Sequence, residues 1–192
     1  MESKISKIGN VTFPEFTGER VYQIPFKKGQ SLPSELARWQ PTVDLMLVGI
    51  NTDEEMYLMI DQAIVNKNQT QRRSGAHIDG NWDAVNQRHG GGGHRVMAWS
   101  TGGGWKTENL TKGGIILAAD CDGAKVYKGN ISGLVGEGGD CTHLDLSNME
   151  TEILQPNQAY IGNVTMIHEA VPSIKSCNRT LVRITLPSTY AA

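Results

Sequence analysis

The chain has no surplus of positive charge: 18 Lys+Arg stand against 20 Asp+Glu, for a formal net charge of −2. A protein that grips nucleic acid by its phosphates carries a basic patch or stripe. A nucleic-acid partner is therefore not indicated by charge, though charge alone does not exclude one. Cysteine is scarce too. Cys121, Cys141 and Cys177 are odd in number and widely spaced, which suits neither a disulfide framework nor a zinc ribbon and points to a reducing compartment. Long apolar runs are missing: nothing approaches the roughly 20 residues of a membrane-crossing helix. Residues 1–13 are polar, with no apolar leader stretch. These absences predict a cytoplasmic protein without a membrane partner.

No internal repeat and no linker interrupts the chain, and 192 residues are enough to bury a core without metal or disulfide staples. The expectation is a single domain over residues 1–192, with 1–71 as a helical and strand support and 72–187 as a β core. Residues 34–39 read as a short helix. Thr52-Asp53-Glu54-Glu55 has the form of a capping box ahead of Met56, Met59, Ile60, Ala63 and Ile64 at helical spacing, which predicts a second helix.

From Arg72 onward the texture changes to short apolar or alternating runs separated by Gly, Asn, Asp and Pro, the pattern of a sandwich or barrel. Strands are expected at 21–25, 95–100, 114–119, 125–128, 142–146, 152–154, 158–161, 165–169 and 180–186, plus one containing His77. That number supplies two facing sheets: a mainly β, jelly-roll-like sandwich with N-terminal helices packed on one sheet. Glycine runs at 90–93 and 102–104 bracket one strand and read as mobile loops at the sandwich mouth.

Chemistry concentrates at His77-Ile78-Asp79. Residues i and i+2 of an extended segment project to the same side, so this histidine and carboxylate can share one metal. The third ligand is expected from a distant strand, and His168 in Met166-Ile167-His168-Glu169-Ala170-Val171-Pro172 closes an apolar run. Two histidines and a carboxylate form the facial triad of non-haem iron(II) oxygenases, which leaves coordination positions open. A His-x-Asp pair alone occurs by chance in many chains. What adds weight is Arg179, eleven residues beyond His168 at the start of an apolar alternating strand, with Arg183 four residues further on the same face. A planar, permanently charged guanidinium suits the anchoring of a dicarboxylate whose other end chelates a metal.

In this order, His77-x-Asp79, His168 and Arg179 resemble the Fe(II)/2-oxoglutarate-dependent dioxygenase superfamily, and the pattern spans most of residues 72–187. The eleven-residue step and the additional Arg183 are similar to the taurine dioxygenase branch, whose members are much longer. The resemblance implies a double-stranded β-helix fold, with Fe(II) held by His77, Asp79 and His168. It also implies 2-oxoglutarate as co-substrate, anchored by Arg179, and O2 as the oxidant. Arg183 is a second anchor or a substrate contact. The implied reaction decarboxylates 2-oxoglutarate to succinate and hydroxylates a substrate, or demethylates it by way of hydroxylation. Substrate contacts are expected from Trp82, Arg88, Trp99 and Trp105, which sit beside the ligand segment or the glycine runs. For these tryptophans a plain core role is equally consistent.

Two other classes compete. A cupin-like metal-binding protein or isomerase uses a similar sandwich but takes its ligands from a His-x-His pair, which this chain lacks. A metal-free jelly-roll binding module would leave the Arg179 spacing unexplained. His89 and His94 flank flexible glycines and read as loop residues, and His143 reads as a surface or satisfied sandwich histidine. Residues 133–139 lack the Lys of a phosphate-binding loop, and 120–123 read as a hairpin turn rather than a calcium loop.

Overall fold

The computed structural model describes residues 1–79, 113–136, 139–187 and 189–190. Its elements in chain order are β1 (Glu2–Ser3), β2 (Ile5–Asn10), β3 (Arg20–Phe26), a 3₁₀ segment (Ser34–Trp39), α1 (Gln40–Met46), β4 (Met56–Val65), β5 (Gly114–Ala119), β6 (Ala124–Asn130), β7 (Glu150–Ile153), β8 (Gln158–Asn163), β9 (Ile167–Ala170) and β10 (Cys177–Leu186). The architecture is mainly β, in two antiparallel sheets. The larger has the order β2-β8-β5-β10-β4-β3; in the smaller, β6 is flanked by β7 on one edge and by β1 and β9 on the other.

Alternation along the central strands separates two cores. On β10, Val182, Ile184 and Leu186 point to the outer face, where they join Leu58, Ile60 and Ile116 beneath Leu36, Trp39, Val43 and Met46 of the 3₁₀ segment and α1. Pro41 is accepted because the first turn of a helix needs no N–H from it. The opposite face turns toward the smaller sheet: Met59, Ile115, Leu117, Tyr160 and Leu181 pack with Val126, Leu154 and Met166. Each such side chain contributes roughly 1.5–3 kcal/mol by leaving water. Of the expected helical support, the 34–39 segment packs on the larger sheet together with α1. Among the described residues no helix is long and apolar enough to cross a membrane.

Two expected elements are corrected. The segment beginning at Met56 is not a helix but the ten-residue strand β4, paired with β10 over Tyr57 to Val65 and with β3 on its other side. Most of it is buried on both faces, with Asp61 and Gln62 buried too, so apolar residues occupy both parities and their spacing satisfies a helical template as well as a strand. Thr52 Oγ1 accepts from the Glu54 N–H at 3.2 Å, a local turn rather than a helix cap. Residues 142–146 are turns, not a strand. Asp140 and Asp145 accept from the backbone N–H groups of Thr142 and Ser147, which bends the chain there. The polar N-terminal segment also carries β1 and β2, for which no strand was expected; β2 pairs along the sheet edge with β8. The expected strand at 95–100 and both glycine runs lie outside the described residues.

Candidate metal centre

His77 and His168 are 91 positions apart in sequence, and backbone pairing brings them together. The His77 N–H donates to the His168 carbonyl and the His168 N–H to the His77 carbonyl, both at 2.9 Å. That reciprocal exchange marks a directly opposed antiparallel pair, whose two side chains leave the same face. On the other edge of the segment, Ile78 N–H donates to Gly139 O and Cys141 N–H to Ala76 O. The 76–78 segment is therefore stitched by single bridges at His77 between β9 and residues 139–141, beside the smaller sheet. Ile78 points the other way, into a buried cluster with Ile131, Cys141 and Ile167, and this fixes His77 and Asp79 on the side facing the larger sheet.

The ligand atoms of His77, Asp79 and His168 all lie within 4.8 Å of one another. His168 Nε2 is 3.6 Å from Asp79 Oδ2 and His77 Nε2 is 4.0 Å from Asp79 Oδ1. The ring centroids are 4.4 Å apart, tilted by 52°. Metal–ligand bonds run to about 2 Å, so one ion fits between these atoms after small side-chain adjustments.

Tautomers are set by the backbone. His77 Nδ1 lies 2.7 Å from Gly75 O, and His168 Nδ1 lies 3.2 Å from Met166 O. A carbonyl can only accept, so each Nδ1 carries a hydrogen, which leaves Nε2 as the ligating atom of each ring. This is the usual support for a metal-ligating imidazole. Burial pushes the His77 pKa down, the neighbouring His168 adds to the effect and Asp79 opposes it, for a value of about 4. The ring is neutral at neutral pH, as a ligand requires. Burial alone would raise the Asp79 pKa. The Arg183 guanidinium, whose Nη1 donates to Oδ2 at 2.6 Å, outweighs that together with the two histidines, and the carboxyl is held well below its usual range. Donor set, tautomers and charge all fit a divalent cation of the iron type.

Arg179 and Arg183 both leave the inner face of β10, on either side of Leu181. Arg183 stands at the centre itself, on Asp79. Four residues along an extended strand separate the two positions by ~13 Å. Arg179 is 4% exposed. Burial lowers its pKa and the nearby Asp120 carboxylate opposes that, yet a guanidinium remains charged under these conditions. It borders a cavity lined by Leu117, Ala124, Leu154, Tyr160 and Leu181.

Trp82, Arg88, Trp99 and Trp105 lie outside the described residues, as do His89 and His94. His143 sits on the surface, where its Nε2 meets Leu134 O at 2.9 Å. No family model, no curated protein and no solved structure matches the chain. Two contributors went unread in the sequence: Gln71, whose Oε1 accepts from Arg179 Nη1, and Gly123, whose backbone lies against the same guanidinium. Gln71 belongs to no recognisable local pattern, and Gly123 reads only as part of the turn at 120–123.

Proposed function

We propose that this protein is an Fe(II)- and 2-oxoglutarate-dependent dioxygenase with a jelly-roll, double-stranded β-helix core, acting in the cytoplasm. The observation that carries the reading is the meeting of His77, Asp79 and His168 around one point, with a buried and under-partnered Arg179 on the strand that faces them. Two imidazole nitrogens and one carboxylate oxygen would hold the ion and leave positions open for exogenous ligands. When bound, iron and 2-oxoglutarate supply O2 activation coupled to decarboxylation to succinate and to hydroxylation, or hydroxylation-driven demethylation, of a substrate.

The chain's own residues bind, orient and exclude water. Arg179 would take the distal carboxylate of the co-substrate through charge-assisted hydrogen bonds, from a position already stripped of solvent. Leu117, Leu154 and Leu181 line the cavity beside that guanidinium. Arg183 keeps Asp79 ionised and oriented.

Anaerobic addition of Fe(II) and then 2-oxoglutarate is expected to produce the weak visible charge-transfer absorption of the chelate, and His77→Ala to remove it. Folded protein that takes up both without this band, or an unchanged band in His77→Ala, would rule the reading out.

A further inference from the structure

The guanidinium of Arg179 is buried, yet its described contacts do not neutralise it. Among the described residues no carboxylate reaches ion-pair distance, and its Nε is buried without a hydrogen-bond partner. Arg183 on the same strand is different, because it meets Asp79 at 2.6 Å. A buried cation normally persists only with a paired charge, since unpaired burial costs several kcal/mol. The direct acceptor at Arg179 is instead a neutral amide, Gln71 Oε1, on Nη1.

The Gln71 amide cannot turn over. Its Nε2 donates to the Asp61 carbonyl at 2.6 Å, so Oε1 must be the atom that faces Arg179. Asp61 is itself held by Arg20 at 3.1 Å and Arg72 at 3.3 Å, so its charge is already taken up by two other cations. On the opposite flank, a Cβ at Gly123 would stand 2.8 Å from Arg179 Nε, at a φ of +153°. The guanidinium is gripped between backbone and amide, with the cavity beside it.

We infer that Gln71 is a positioning residue: a neutral clamp that fixes Arg179 while leaving its positive charge for an incoming carboxylate. This rests on the proposed co-substrate site and deepens it. Glutamate at this position would satisfy Arg179 internally with a bidentate pair and fill the place of the ligand's charge. Alanine would only loosen the clamp. The electrostatic role therefore orders the variants in a way that a packing role does not. Gln71→Glu, nearly isosteric and able to pair with Arg179, should harm binding more than Gln71→Ala, whereas a packing role predicts the reverse.

The test uses the full chain, anaerobic, with Fe(II) affinity measured first by calorimetry and 2-oxoglutarate affinity then measured on the iron-loaded protein. Thermal unfolding of each variant serves as the fold check, and Gln71→Met is a second neutral substitution. Expected are an Fe(II) affinity within about threefold of wild type in all variants, a 2-oxoglutarate affinity reduced about tenfold in Gln71→Ala and Gln71→Met, the worth of one hydrogen bond, and a loss of more than a hundredfold in Gln71→Glu. Folded Gln71→Glu that binds 2-oxoglutarate as well as Gln71→Ala does, or an equal loss of iron and 2-oxoglutarate, overturns the inference alone. If Gln71→Glu does not fold, the neutral variants decide: unchanged 2-oxoglutarate affinity in both overturns the clamp, and the tenfold loss upholds it. Wild-type protein that takes up Fe(II) but no 2-oxoglutarate overturns the functional reading along with it.

Discussion

At the scale of single residues, the centre is defined by which atoms are already engaged. Both Nδ1 positions are committed to carbonyls and Asp79 Oδ2 to Arg183, so the free donors converge without any choice of tautomer. Neutral, buried His77 carries a pH signature. In the unfolded chain it protonates near 6.5, in the folded chain only near 4, so between those values the unfolded state binds more protons and stability falls as pH falls. The loss is on the order of 3 kcal/mol by pH 4, and Asp79, whose folded pKa is also depressed, adds to it in the same direction at still lower pH. The thermal midpoint of metal-free protein should therefore drop between pH 6.5 and 4, with a shallower slope in His77→Asn; equal slopes would contradict the buried neutral ring. Arg179→Ala removes a buried partner for a carboxylate but no metal ligand. Its expected effect is a loss of ~2–5 kcal/mol in 2-oxoglutarate binding with iron affinity retained, and parallel losses in calorimetry would count against its role.

At the scale of elements, the strands bring together what the turns cannot. β10 presents Arg179, Leu181 and Arg183 inward and Val182 and Ile184 outward, and its pairing with β4 and β5 fixes that division, since a one-residue slip would exchange the faces. Buried Gln62 on β4 helps hold the outer side, accepting from the Thr17 and Glu19 N–H groups and donating to Thr180. Close packing between β8 and the approach to β9 depends on Gly162, where a Cβ would fall 2.1 Å from Met166 Sδ. Gly162→Ala should cost about 1–3 kcal/mol by overpacking. In a denaturant titration, adding Met166→Ala should recover part of the clash but not the packing that Met166 supplies. Strict additivity of the two changes would show that the contact is not limiting. β4 is also where the sequence misleads: a strand buried on two faces has no polar side to reveal a period of two, and Thr52 with Glu55 imitates a helix start.

At the scale of the whole molecule, the centre ties the two sheets together: His168 stands on β9 of the smaller with His77 bridged to it, and Asp79 meets Arg183 on β10 of the larger. An ion bound only by the folded protein stabilises it by mass action, about 2.7 kcal/mol at a hundredfold excess over the dissociation constant. For a chain of this length that is a rise of about 5–10 °C in the unfolding midpoint. Differential scanning with Fe(II) or Mn(II) under anaerobic conditions should show the rise, a chelator should reverse it, and Asp79→Ala should abolish it. An equal rise in Asp79→Ala would place the ion elsewhere.

The sequence by itself determined the chemistry on offer and much of the strand list. His-x-Asp on an extended segment, a histidine closing an apolar run, and two arginines on one strand face are local patterns, and 114–119 was legible to the residue. Only the tertiary structure decided which of these groups meet. The reciprocal backbone bonds of His77 and His168, the capture of Asp79 by Arg183, and the Gln71 clamp on Arg179 all join residues from 91 to 108 positions apart, through sheet register. Register is a property of paired strands: local alternation sets which face turns inward, but not which residue of a strand distant in sequence lies opposite.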